Sequence, residues 1–187
     1  MGSYFYLMAQ LPFLIYEQKP PMSSERFKAL ASYFLNSTDS SLLKHLSLDP
    51  AFSQKKTDSD FIDNWREFER ALRLNLAKER AIKLKRDTMQ MVNPPLFPLE
   101  AANAASKAVD ESSPLEGEVI IDKARWTAID SMTGSDNFHR NAVYAYFLKL
   151  LLLERREAFN TEKGFTEYKS LYASILESAQ NSLGETK

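Results

Sequence analysis

The chain has 187 residues, 44% of them apolar, a formal net charge of −1 and no cysteine. That length and apolar content fit one domain with its own core, while the near-zero charge excludes a global field that would gather nucleic acid or an anionic membrane. The missing thiols exclude disulfides, Cys-zinc sites and thiol chemistry, which fits a cytoplasmic protein. Twelve Phe, eight Tyr and two Trp supply large areas to bury. Only five glycines occur, and Gly2, Gly117, Gly134 and Gly164 fall at a terminus or an expected helix boundary. This suits a helical chain, because glycine costs about 1 kcal/mol inside a helix, and suits an all-β chain poorly, because many strands need many turn residues.

Residues 4–16 are aromatic and aliphatic and read as core, in either helix or strand. They lack a basic stretch and a small-residue cleavage site, and Gln10 and Pro12 interrupt them, so they do not read as a leader. Lys19-Pro20-Pro21 ends the segment. Ser23 or Ser24 can cap a helix running to about Leu35, with Phe27, Leu30, Ala31 and Phe34 at the i, i+3, i+4, i+7 spacing of one face. Asn36 to Asp39 reads as a break, and a short helix follows from about Ser40 to Leu48.

Asp58 or Ser59 can cap the longest element, expected over residues 59–90. Its apolar positions Phe61, Trp65, Phe68, Leu72 and Leu76 form a heptad-like stripe that then drifts through Ile82 and Leu84. Between Asn64 and Gln90 there are eight basic residues and four acidic ones. Arg66, Arg73 and Arg80 recur every seven residues and so share a face. That face is a solvated surface, a contact for an acidic partner or, less in keeping with the overall charge, a phosphate-binding surface.

The Pro-rich segment 93–98 separates two helical halves of what reads as a single domain over residues 1–187. An alanine-rich helix with one thin face comes next, through Ala101, Ala102, Ala104, Ala105 and Ala108. Pro114 is well placed to open another helix, from about Leu115 to Met132. Asp136 or Asn137 can cap the helix expected over 137–160, whose Tyr144–Leu153 stretch is apolar all round. Such a helix must be covered on every side, which puts it at the centre of the core. A last amphipathic helix uses Phe165, Tyr168, Leu171, Tyr172, Ile175 and Leu176. The Leu150–Leu153 run carries Lys149 and is far short of the roughly 20 apolar residues of a membrane span. Any membrane association is therefore expected to be indirect.

No catalytic pattern stands out. There is no Gly-rich phosphate loop, no G-x-S-x-G elbow and no H-E-x-x-H. Asp136-x-x-His139 is half of a metal-like pair, but no Glu-x-x-His occurs for a di-iron bundle, and His45 stands alone. Glu67 and Glu69, interleaved with Arg66, Arg70 and Arg73, read as salt-bridged surface rather than acid–base machinery. No catalytic, metal or cofactor residue is assigned, and no small-molecule substrate is expected.

Four stretches occur in a recognisable order. They are Ser3-Tyr4-Phe5-Tyr6-Leu7 with Leu11-Pro12; Trp65-x-x-Phe68-Glu69-x-x-Leu72-Arg73-x-x-Leu76-Ala77-x-x-Arg80-Ala81; Asp122-Lys123-Ala124-Arg125-Trp126; and Ala145 to Arg155, on through Gly164. In order and spacing the chain resembles an uncharacterised bacterial family encoded in V-type (A/V-type) ATP synthase operons. That family is distantly similar to the V-type ATPase socket subunit, the all-helical funnel that joins the rotor shaft to the membrane ring. The chain is much shorter than that socket subunit, so the resemblance implies only part of the funnel. It also implies a non-enzymatic accessory or central-stalk component, which takes part in ion transport through other V/A-type ATPase subunits. Such a component is cytoplasmic and peripheral to the inner membrane through those partners. The expected fold is all-α, a bundle-like domain of six or seven helices, with Arg66, Arg73 and Arg80 as the partner-binding residues. The alternative is a free-standing helical adaptor or nucleic-acid-associated protein using the basic helix 64–90.

Overall fold

The computed structural model describes residues 4–51, 55–89, 91–159, 168–172 and 174–175. Its helices follow in chain order: α1 (Tyr4–Ala9), α2 (Ser24–Ala31), α3 (Ser37–His45), α4 (Asp60–Lys83), α5 (Leu99–Asp110), α6 (Pro114–Thr133) and α7 (Arg140–Ala158). Residues 168–172 are also helical, and no strand occurs among the described residues. The fold is all-α, as the sequence pattern requires. The chain divides into two compact units, Met1–Glu154 and Arg155–Lys187. Residues 93–98 lie within the first unit, between α4 and α5. Of the expected last helix, Phe165 and Leu176 lie outside the described residues, whereas Tyr168, Leu171, Tyr172 and Ile175 are helical and exposed.

Side-chain caps set four of the helix starts. Ser23 accepts from the Arg26 N–H, Asn36 from Asp39, Ser59 from Ile62 and Ser113 from Glu116, each satisfying a backbone donor that has no partner within its helix. The Asn36 cap moves the start of α3 back to Ser37, into the stretch the sequence reads as a break. At α7 the correction runs the other way. The Asp136 carboxylate accepts from the Phe138 N–H at 2.9 Å, closing a local turn, and the helix begins at Arg140.

The largest boundary correction is at the end of α4. The helix stops at Lys83, well short of residue 90. The Lys85 N–H bonds to the Ile82 carbonyl and the Arg86 N–H to that of Ala81, both at 2.9 Å, with Lys85 at φ 53°. This is the doubled C-terminal closure that usually places glycine in the left-handed position. Lysine there gives no sequence signal that the helix ends.

α7 lies at the centre of the core of the first unit. Val143, Tyr144, Phe147, Leu148, Leu150, Leu152 and Leu153 are all buried. Phe27 of α2 stacks on Tyr146 and Phe147, with ring centroids 5.1 and 5.9 Å apart. Phe61 of α4 lies 6.2 Å from the Tyr144 ring. The Glu154 carboxylate accepts from the Ser24 N–H at 2.6 Å, joining the last turn of the core helix to the first turn of α2. Trp65, fully buried on α4, satisfies its indole N–H at the Ser47 carbonyl, 2.9 Å away.

α4, α5 and α6 pack through small residues. Ala101, Ala104 and Ala105 bury the thin face of α5. Gly117 of α6 meets the backbone of α5 so closely that a Cβ would lie 2.8 Å from the Ala108 carbonyl oxygen. The last turn of α4 sits beside the last turn of α5, where Lys83 Nζ donates to the Val109 carbonyl. Phe68, in the middle of α4, borders Pro98 and Glu100 at the start of α5. α5 therefore runs in the same direction as α4, and residues 84–89 and 91–98 belong to an irregular strap between them.

Candidate assembly surface

Residues of two of the sequence motifs meet across α4 and α6. Glu69, in the column Ile62–Glu69–Leu76 on α4, is 0% exposed. Arg125 of α6 grips it with both arms of the guanidinium, Nε to Oε1 at 2.7 Å and Nη2 to Oε2 at 3.1 Å. Its remaining nitrogen donates to Asp122, also buried, at 3.1 Å. Burial alone would weaken the charge on Arg125, but the two carboxylates outweigh it and raise the guanidinium above its ordinary value. A paired charge buried this way is costly to break, because the partner left behind has no water. Glu69 is thus not surface, as the sequence suggests, but part of an internal seam. The legible sign was its place in a column of buried apolar residues.

The three arginines assigned to partner binding fare differently. Arg66 donates to the Lys55 carbonyl at 3.1 Å and pairs with Asp63 at 3.4 Å. Arg73 pairs with Asp49, donates to the Pro50 carbonyl at 2.5 Å and lies 3.9 Å from the Glu69 carboxylate. Both fasten the chain preceding α4 onto the helix. Arg80 is exposed and borders a shallow groove between the ends of α4, α5 and α6. The structure therefore does not bring the three together as one open patch. A polar cavity of 380 Å³ opens beside Arg66 and Arg73, and Lys56 and Arg70 also line it. Lys56 and Arg70 are exposed and make no hydrogen bond or ion pair with any described residue. Asp63 and Glu67 line the same cavity, and Arg80 stands apart from it at the groove near the end of α4. The heptad arithmetic missed Lys56, because the folded-back loop, not the helix period, brings it here, and passed over Arg70, which stands on α4 four residues after Arg66.

A second polar centre was not legible either. Asp39, at 2% exposure, accepts from the Tyr144 hydroxyl at 3.0 Å, from Asn36 Nδ2 at 2.9 Å and from the Tyr4 hydroxyl. Arg140 approaches its carboxylate to 3.7 Å and the Asp58 carboxylate to 3.6 Å. Burial, then the hydrogen bond to Asp39, pushes Tyr4 up to about 12 and raises Tyr144 further. Both hydroxyls therefore remain donors across the neutral range. The N-terminal aromatic segment is tied by this centre to α3 and α7. His45 and His139 are exposed, and Asp136 is engaged by Phe138. Among the described residues no group of three His, Asp or Glu side chains is placed to hold a metal ion.

No protein-family model matches the chain, nor does any curated protein or solved structure.

Proposed function

We propose that this chain is a non-catalytic accessory or central-stalk component of a bacterial V/A-type ATPase. In this reading it links or stabilises the soluble and membrane sectors, in the cytoplasm and at the inner membrane through partner subunits. The motif order carries the ATPase part of the proposal. One observation carries the scaffold part: three charges of the motifs, Glu69, Asp122 and Arg125, are spent inside the protein, joining α4 to α6. Arg70 and Arg80 on α4, with Lys56 of the preceding loop, are exposed cations suited to an acidic protein surface.

The test is capture of the tagged protein from its native cells in mild detergent, with partners identified by mass spectrometry. V-type ATPase subunits recovered in comparable amounts support the assignment. The protein recovered alone, or with nucleic acid that salt strips away, contradicts it and favours the adaptor reading. Charge reversal at Arg70 and Arg80 should then weaken capture without unfolding the chain. Arg73 is unsuited to that experiment because it holds the 49–50 turn.

A further inference from the structure

The strap between α4 and α5 inverts the usual order of a protein surface. Met89 is 92% exposed, Leu96 81% and Phe97 74%, and Leu84, Val92 and Leu99 are more than half exposed. Covering a single large apolar side chain is worth about 1.5–3 kcal/mol, so six left in water mark a surface that something covers. Two cations, Lys85 and Arg86, stand against one acid, Asp87, at the start of the strap. The Asp87 carboxylate is turned back onto the Met89 N–H at 2.8 Å. Lys85 and Arg86 are exposed, and their side chains have no partner among the described residues.

We propose that the strap, residues 84–89 and 91–98 with Leu99, docks this protein directly on an anionic lipid surface. The site stands apart from the assembly reading and does not depend on it. Charge complementarity decides the occupant. A cation pair leading into exposed apolar side chains suits a bilayer interface, where lysine stems lie along the acyl boundary and their heads reach the phosphates. The centre of a protein interface is instead depleted of lysine. Strand addition by a partner is disfavoured as well, since Pro94, Pro95 and Pro98 have no N–H to donate. No described helix is long and apolar enough to cross a membrane, so the contact is with the surface. The net charge of the whole chain hides this site because it averages over acids elsewhere.

The experiment is co-sedimentation of the full chain with vesicles of phosphatidylcholine and phosphatidylglycerol, against vesicles of phosphatidylcholine alone. The full chain should pellet with the anionic vesicles and be released by salt. Lys85→Gln with Arg86→Gln should weaken binding about fivefold for each cation removed. Leu96→Ser with Phe97→Ser should weaken it about tenfold or more. Circular dichroism and the thermal midpoint should be unchanged in both variants, since these side chains are exposed. A chain that stays in the supernatant with both vesicle types overturns the proposal, as does vesicle binding that survives all four substitutions. Loss of a defined protein partner on the same substitutions, with vesicles unbound throughout, also overturns it and makes the strap a protein-docking site.

Discussion

α4 departs from the amphipathic rule in opposite ways at its middle and beyond its end. At Glu69 a charge lies where an apolar side chain belongs, and Arg125 and Asp122 close around it. Past Lys83, apolar side chains lie where charges belong, and nothing in the described structure closes around Met89, Leu96 or Phe97. The first departure is resolved inside the molecule and fixes how α4 meets α6. The second is left open, which is the condition of a surface that meets something else. A misplaced residue is thus informative according to whether the fold supplies its partner.

The comparison is broken most severely at the seam. Arg125→Ala takes the two-armed guanidinium away from buried Glu69 and should cost about 3–5 kcal/mol in urea unfolding. Arg73→Glu sets a carboxylate facing Glu69 and Asp49 and should cost about 2 kcal/mol, whereas Arg80→Glu should stay within about 0.5 kcal/mol. That contrast separates the arginines that hold the fold from the one that faces outward. Gly117→Ala should destabilise by about 1–3 kcal/mol, because the atom it strikes is the backbone oxygen of Ala108 rather than a yielding side chain.

Alkaline titration sharpens the part played by the N-terminal segment. Burial, aided by the Asp39 hydrogen bond, raises Tyr4 from 10.0 to about 12, and burial alone does the same for Tyr146. Above pH 10 the unfolded chain releases phenolic protons that the folded chain keeps. Stability should therefore be fully present below pH 10 and fall as pH rises toward 12, with a shallower fall in Tyr4→Phe. The urea midpoint against pH measures this. The smallest effect is expected at the turn that ends α4, where Lys85→Gly relieves a left-handed residue and should raise stability by up to about 1 kcal/mol.

Much of the helical frame was legible in the sequence. The Phe27–Ala31 face, the proline breaks and the all-round apolar α7 follow from spacing alone, because each is a local preference that the core then satisfies. The end of α4 was not legible, because a lysine occupies the position where glycine would have announced it. The arginine face was legible as a face but not as a function. Arg66 and Arg73 are taken up by carbonyls of a loop whose return no periodicity describes. Glu69 was legible in principle, since Ile62 and Leu76 flank it at heptad spacing, but its partner Arg125 is 56 residues away.

The central claim is that the charges of the two motifs build the fold, and a double-mutant cycle on Glu69 and Arg125 tests it most directly. Urea unfolding would be measured for the wild type, Glu69→Met, Arg125→Met and the double variant. The account predicts a coupling of at least about 2 kcal/mol, because Glu69 and Arg125 share a buried two-armed contact that neither Asp122 nor Arg73 reproduces. Additive losses would contradict it and return both side chains to the solvated surface.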